Sequence, residues 1–287
     1  MIVRLQENIS KDSLLETNNH FTYIQNPNEL FVYRTKSILV SILFLFSISS
    51  GCMSFTNNTN EFTFVVNYEK TNGTIIESFV DGELISKTNV TLKFDFSNTI
   101  SENRIIEFGI EFKDDRAPII VNPKNDNEII VDFYEHGIYE INAYATDQEN
   151  NIKNVSIIIR IETKIEWLEQ NTFDPIPLIV DSIPKNNGNP ASSIIIDSNV
   201  ENPALIENVG GGREVKITWA LIDQQDDSCQ SKKGLVQEGE NLNWKTIHFN
   251  TFEIHELRII YEEGQDSIDI NQTVLIEYNP IESEPNY

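Results

Sequence analysis

Alternation of apolar and polar residues organises the chain from Glu61 onward, not the three-to-four spacing of a helix. Phe62–Tyr68 opens as a strand-like run. Val90, Leu92, Phe94 and Phe96 share one face, and Ile106–Phe112 and Glu128–Tyr134 repeat the pattern. Tyr139, Ile141, Ala143 and Ala145 point one way, with Glu140, Asn142 and Thr146 opposite; Val155, Ile157, Ile159 and Ile161 form a last inward row. Short strands between Asn/Asp/Gly turns predict a β-sandwich over residues 61–163. Pro175, Pro177, Pro184 and Lys185-Asn-Asn-Gly-Asn-Pro190 predict a linker over 164–190. Strand patterns resume at Ser193–Ile196, Val215–Ile222 and Trp244–Phe249, then in two longer runs, which predicts a second sandwich over 191–279 and a tail over 280–287.

Three segments of the first series resemble, in order, the PKD (polycystic kidney disease) immunoglobulin-like domain family. Lys93-Phe-Asp-Phe-Ser-Asn-Thr-Ile-Ser101 resembles that family's early strand and turn. Glu107-Phe-Gly-Ile-Glu-Phe-Lys-Asp-Asp115 resembles its central motif, with Ile110 in place of Trp and with Lys113 and Asp115 in place of glycines. Gly137-Ile-Tyr-Glu-Ile-Asn-Ala-Tyr-Ala-Thr-Asp147 resembles its most specific segment. The resemblance implies an immunoglobulin-like sandwich of the kind that serves surface proteins as spacer and binding module.

An internal repeat extends this to the second series. Tyr139–Ala145 aligns with His255–Tyr261, Asn154–Ile161 with Asn271–Tyr278, and Phe108–Phe112 with Ile217–Ile222. In that alignment Trp219 stands where a core tryptophan is expected. The expected fold is therefore all-β: two tandem immunoglobulin-like (PKD-type) sandwiches behind an N-terminal signal or anchor.

That anchor is read from residues 35–52. Arg34 and Lys36 precede an apolar run, Ser37–Ile48, followed by Ser49-Ser50-Gly51-Cys52. A basic flank, a short apolar run and a small-residue exit describe a secretory signal. The run is shorter than the roughly 20 residues that span a bilayer. Cys52 resembles the lipidated cysteine of bacterial lipoproteins, although Ser49 stands where Leu is usual; plain cleavage and an uncleaved anchor are the other readings. Residues 1–34 read either as a start assigned too early or as a short cytoplasmic tail. Residues 53–60 are a polar tether.

Charge narrows the partners. The net charge is −24, from 45 acidic and 21 basic residues. Such a surface repels phosphate backbones, which excludes nucleic acid as a partner. Two cysteines, Cys52 and Cys229, exclude a disulfide-built scaffold. Cys229 falls in an expected exposed loop, Asp223–Gly234, either as an incidental thiol or as a link to another chain.

The chemistry is sparse. His20, His136, His248 and His255 show no His-x-x-x-His spacing. His255 is expected to pack in the core or at its rim, and His136 to sit in a loop. Gly210-Gly211-Gly212 precedes a strand, not a helix, and is no phosphate loop. Asp147, Glu149 and Asn151 place oxygens at alternate loop positions, the one arrangement that suits calcium; the plain alternative is a polar turn. No other cofactor is expected. Asn57, Asn72, Asn89, Asn154 and Asn271 begin Asn-x-Ser/Thr sequons.

The function expected is a non-enzymatic structural, adhesion or interaction module, anchored at the extracellular face of the membrane. The alternative is a carbohydrate-binding surface lipoprotein that delivers polysaccharide to a partner enzyme, with Tyr134, Tyr144 and Trp244 as candidate aromatic platforms.

Overall fold

An apolar residue at every second position buries one face of a strand and leaves the other to water. The structure, a computed structural model, describes residues 61–204 and 213–287. It is all-β, with no helix among the described residues. The strands are β1 (Phe62–Thr63), β2 (Asn72–Val80), β3 (Glu83–Lys87), β4 (Val90–Asp95), β5 (Ile100–Ser101), β6 (Ile105–Phe112), β7 (Ile119–Val121), β8 (Glu128–Phe133) and β9 (Gly137–Asp147). There follow β10 (Ile152–Thr172), β11 (Leu178–Asp181), β12 (Ser193–Glu201), β13 (Val215–Ile222), β14 (Ser228–Val236), β15 (Asn241–His248), β16 (Ile254–Glu263) and β17 (Ile268–Glu277).

Among the described residues one nine-stranded sheet runs in the order β15-β12-β17-β10-β9-β6-β7, with β2 and β3 branching from β10. Two smaller sheets cover it. The pair β4–β8 encloses a core containing Phe94, Phe96, Phe133, Ile141 and Ile159. The sheet β11-β16-β13-β14 encloses a second core around Trp219, Val180, Leu257 and Ile276.

β10 belongs to both halves. Its first part pairs with β9 over 152–161 and its second part with β17 over 163–172. β2 runs parallel along 160–168. Residues 160–161 pair with β9 and β2, and 163–168 with β17 and β2, so β2 lies on the edge opposite both. Every odd-numbered residue from Ile157 to Trp167 is buried. Ile157, Ile159 and Ile161 enter the first core, and Ile165 and Trp167 the second. At about 3.3 Å per residue, this strand is roughly 70 Å long.

The expected linker over 164–190 is thereby corrected: its start is the second half of β10, and it also contains β11. The alternation Ile161, Thr163, Ile165, Trp167 never breaks, and the prolines only follow it. The tail is corrected as well. Residues 282–286 fold back onto the first half, where Ser283 N–H donates to the Ile158 carbonyl (3.0 Å) and Asn286 exchanges backbone bonds with Tyr68 (2.6 and 3.0 Å). Glu282 accepts from Arg160 Nε (2.9 Å) and Nη2 (2.8 Å) and from Asn72 Nδ2 (2.9 Å). The Arg160 guanidinium, working against burial, brings the Glu282 carboxyl down to about 2.

Other expectations shift locally. The strand expected over Phe62–Tyr68 is only β1, followed by bridges at Asn67 and Tyr68. Val155 is exposed, unlike the three isoleucines after it. The expected loop at Asp223–Gly234 is a turn leading into β14, so Cys229 sits on a strand. Part of the repeat survives in the topology: β7–β6–β9 and β14–β13–β16 have the same pairing order. The last strands differ, because β10 pairs with β9 while β17 leaves β16 and joins β10 and β12 in the other sheet. Residues 1–60, with the signal, tether, Cys52, Asn57 and His20, and residues 210–212 lie outside the described residues.

His136 lies in the β8–β9 loop, as expected, and is buried there at the joint between the halves. Its Nε2–H donates to the Asp181 carbonyl (3.1 Å), so its Nδ1 accepts from the Tyr278 hydroxyl (2.7 Å). Both partners belong to the second half. That arrangement suits the neutral ring. Burial, with Lys185, pulls the His136 pKa below its ordinary value, against the Asp181 carbonyl and the Asp181 and Glu135 charges. Because the folded value lies below the unfolded one (about 6.5), the unfolded chain takes the proton first. The stabilisation is complete above about pH 6.5 and declines as pH falls through the folded value. The urea midpoint should therefore drop between about pH 7.5 and 5.5, and more steeply in the native protein than in His136→Gln. Equal slopes in the two proteins would remove His136 as the cause.

Candidate functional site

Two features among the described residues carry chemistry. The first is an open groove at the joint, formed by the turn after β6, the β8–β9 turn and the β11–β12 loop. Its main recess has a volume of about 620 Å³ and is lined by Asp115, Arg116, Asp132, Tyr134, Lys185 and Asn187, among others. A smaller recess of about 300 Å³ adjoins it and shares Tyr139 and Asn186. The floor is tied together by stacking and hydrogen bonds. The Arg116 guanidinium lies over the rings of Phe112 (4.0 Å), Phe133 (4.9 Å) and Tyr139 (4.9 Å), and its Nε donates to both oxygens of Asp114 (3.0 and 2.9 Å). Burial pushes the Asp114 carboxyl up, but the bonds to Arg116 prevail and hold it below the usual carboxylate range. Tyr139 donates to the Glu135 carbonyl (2.7 Å), and burial pushes its hydroxyl up to about 12.

The wall from the second half is pinned by Asn186, whose Nδ2 donates to the Ile138 carbonyl (2.9 Å). Gly137 makes room for it. Its φ is +153°, and a Cβ there would lie 2.9 Å from the Asn186 amide. Tyr134 stands on the rim and is 60% exposed. The other two aromatic candidates are corrected. Tyr144 is buried and donates to Glu107 (2.8 Å), and Trp244 is buried against Trp219, so neither offers a free face.

The second feature joins residues that the sequence keeps apart. Cys229 on β14, His248 at the end of β15 and His255 on β16 place one ligand atom each within 4.8 Å of one another. The edges of the two sheets are clipped together here: Gln230 Nε2 donates to the Ile247 carbonyl (3.0 Å), Thr246 Oγ1 to Gln230 Oε1 (2.6 Å), and Lys232 Nζ to the Asn243 carbonyl (2.7 Å). The loop between the histidines is pinned by buried hydroxyls. Thr251 donates to the Ala191 carbonyl (2.6 Å), and Ser182 to the carbonyls of Thr251 and Glu253 (both 3.2 Å). Burial, then the neighbouring His255, holds His248 below its ordinary pKa. Burial, then the Asp223, Glu253 and Asp227 charges, pushes the Cys229 thiol up. Sequence spacing could not reveal this cluster, because its members come from three strands in two sheets.

The proposed calcium ligands do not form a cage. The Asp147 carboxylate accepts from Glu149 N–H, Asn151 N–H and Asn151 Nδ2 (2.9 Å each) and from Asn103 Nδ2 (3.2 Å). Burial pushes this carboxyl up, yet these donors outweigh it and hold it low. Its lone pairs are spent on the turn, and Asn151 presents its amide N–H there, not its oxygen. Asp147, Glu149 and Asn151 are a polar turn. Among the sequons, Asn89, Asn154 and Asn271 are exposed, whereas Asn72 is half-buried and bonded to Glu282.

No family model and no curated protein matches the chain. Several solved structures are similar over most of it. One, described as "Structural basis for the promiscuous specificity of the carbohydrate-binding modules from the beta-sandwich super family", is 8% identical over 79% of this chain and 99% of its own, with a TM-score of 0.27. A β-glucuronidase of Bacteroides uniformis is 8% identical over 76% of this chain but 30% of its own, with a TM-score of 0.25. The Bacteroides ovatus mixed-linkage glucan utilization protein SGBP-B, in complex with a mixed-linkage heptasaccharide, is 11% identical over 72% and 53%, with a TM-score of 0.19. At such identities and scores these likenesses transfer no ligand and no activity to this chain.

Proposed function

We propose that the protein is a non-enzymatic interaction module, held at the extracellular face of the membrane through residues 35–52, whose groove at the joint takes a carbohydrate. The PKD-like motifs accord with this reading. The observation that carries it is the groove itself: one exposed aromatic ring, Tyr134, beside Asp132, Lys185 and Asn187 in an open recess. A sugar offers an apolar C–H face and a ring of hydroxyls, and this lining supplies a partner for each.

Affinity electrophoresis through gels containing soluble polysaccharides tests the ligand class. At least one polysaccharide should retard the native protein, and Tyr134→Ala should weaken that binding by about tenfold or more, the equivalent of roughly 1.4 kcal/mol. Retardation unaffected by Tyr134→Ala would place the ligand elsewhere. No retardation by any polysaccharide would leave a protein partner as the reading. For the anchor, intact mass of protein purified from native membranes should begin at Cys52 with acyl chains attached; an unmodified full-length mass would refute lipidation.

A second reading, a rigid spacer, is favoured by β10. A strand shared by two cores leaves no hinge between the halves and suits a protein that must hold its groove away from a membrane.

A further inference from the structure

We propose that Cys229, His248 and His255 bind a thiophilic transition-metal ion of the zinc class, with the Glu253 carboxylate in reach of the fourth position. Three observations converge. First, the donor set is one thiol and two imidazoles, which selects borderline-soft metals over calcium or magnesium. Second, His248 Nε2 and His255 Nε2 are 3.2 Å apart. Two nitrogens each about 2.05 Å from one ion would at that separation subtend roughly 103°, close to the tetrahedral angle. Third, Glu253 Oε1 lies 4.0 Å from His255 Nε2 and Asp223 Oδ2 lies 3.9 Å from Cys229 Sγ, so negative charge lies beside the site.

The thiol side of the site is exposed and the His255 side buried. An ion can therefore enter past Cys229, and the thiol proton leaves to solvent as the thiolate binds. An ion there would join β14, β15 and β16, closing the seam where the two sheets of the second core meet at their edges. The site shares no lining residue with the groove.

The test uses the full chain in detergent, reduced and stripped with a chelator, then titrated with Co2+ as a spectroscopic stand-in and with Zn2+ in competition. The expected result is one Co2+ per chain, a thiolate-to-cobalt charge-transfer band, and its loss when Zn2+ is added. Cys229→Ser should abolish the band, and Cys229→Ser and His248→Gln should each weaken Zn2+ binding by at least about a hundredfold, beyond the loss typical of an outer-sphere partner. Cys229 is exposed and His248 half-buried, and an unchanged far-ultraviolet spectrum would confirm that the fold persists. Asp147→Asn should leave binding unaltered. Binding without the charge-transfer band, or equal binding by the variants, would mean adsorption to the acidic surface and overturn the proposal. So would a chain isolated as a Cys229-linked pair that takes up no Co2+ after reduction.

Discussion

A fragment of residues 61–163 should fail to fold, and the intact chain should unfold in one transition. The cut falls inside β10, where Thr163 pairs with Ile276 on one edge and Ile75 on the other. Removing everything beyond it strips β2 of its parallel partner from Lys164 to Leu168 and parts Phe79 from Trp167, whose ring centroids are 5.5 Å apart. It also removes residues 282–286, and with them the bonds to Ile158, Arg160, Asn72 and Tyr68. The exposed strand edges would then have no partner but another chain, so aggregation is the expected fate. Circular dichroism and urea titration of the fragment and of the whole chain decide the matter. A cooperative transition in the fragment, or two separated transitions in the whole, would mean that the halves are independent domains after all.

Trp219→Ala should cost about 3–5 kcal/mol in urea unfolding, the range for truncating a large buried aromatic. Trp219 heads the largest fully buried side chains. Its indole N–H donates to Ser198 Oγ (2.9 Å), itself buried, and Trp244 packs beside it at 6.3 Å between centroids. Gly234 on β14 leaves room for the ring, since a Cβ there would lie 2.9 Å from its Cζ3. Truncation would therefore open a cavity and orphan the Ser198 acceptor together. Trp219→Phe keeps most of the volume and loses only the donor, so it should cost less, about 1–3 kcal/mol. A loss below about 1 kcal/mol for the alanine variant would show that the second core does not depend on this residue.

The strands that were readable from the sequence share one property. Val90 to Phe96, Tyr139 to Ala145 and Ile157 to Ile161 alternate over a core that buries one face only, so burial is written in the residue order. Those that were missed lack it. β3 is exposed along its whole length, and β14 is an edge strand of mostly polar residues. β2 and β3 did carry a local signal, Asp81-Gly82, whose positive φ values of 48° and 82° form the tight turn between them. The proline-rich segment was misjudged because prolines mark breaks in strands, while the alternation just before them marked the strand that joins the halves.

For the groove, Tyr134 was singled out from sequence, but Arg116, Lys185 and Asn187 were not. Arg116 lies in the turn after β6, and Lys185 and Asn187 lie in the β11–β12 loop, which only the joint brings together. Asp147 looked like a ligand because oxygen side chains at alternate positions are visible in a sequence; the four N–H groups that occupy them are not.

By itself the sequence determined the all-β class, the positions of the main core strands, the acidic surface and the burial of Trp219. These follow from side-chain periodicity and composition, which act over a few neighbouring residues. Tertiary structure alone decided that β10 serves two cores, that residues 282–286 return to the first half, that His136 sits between the halves, and that Cys229, His248 and His255 meet. Each of these depends on which strand edges pair. Pairing is settled by the competition of whole strands for hydrogen-bond partners and burial, across separations such as the 212 residues between Thr71 and Ser283, where local pattern carries no information.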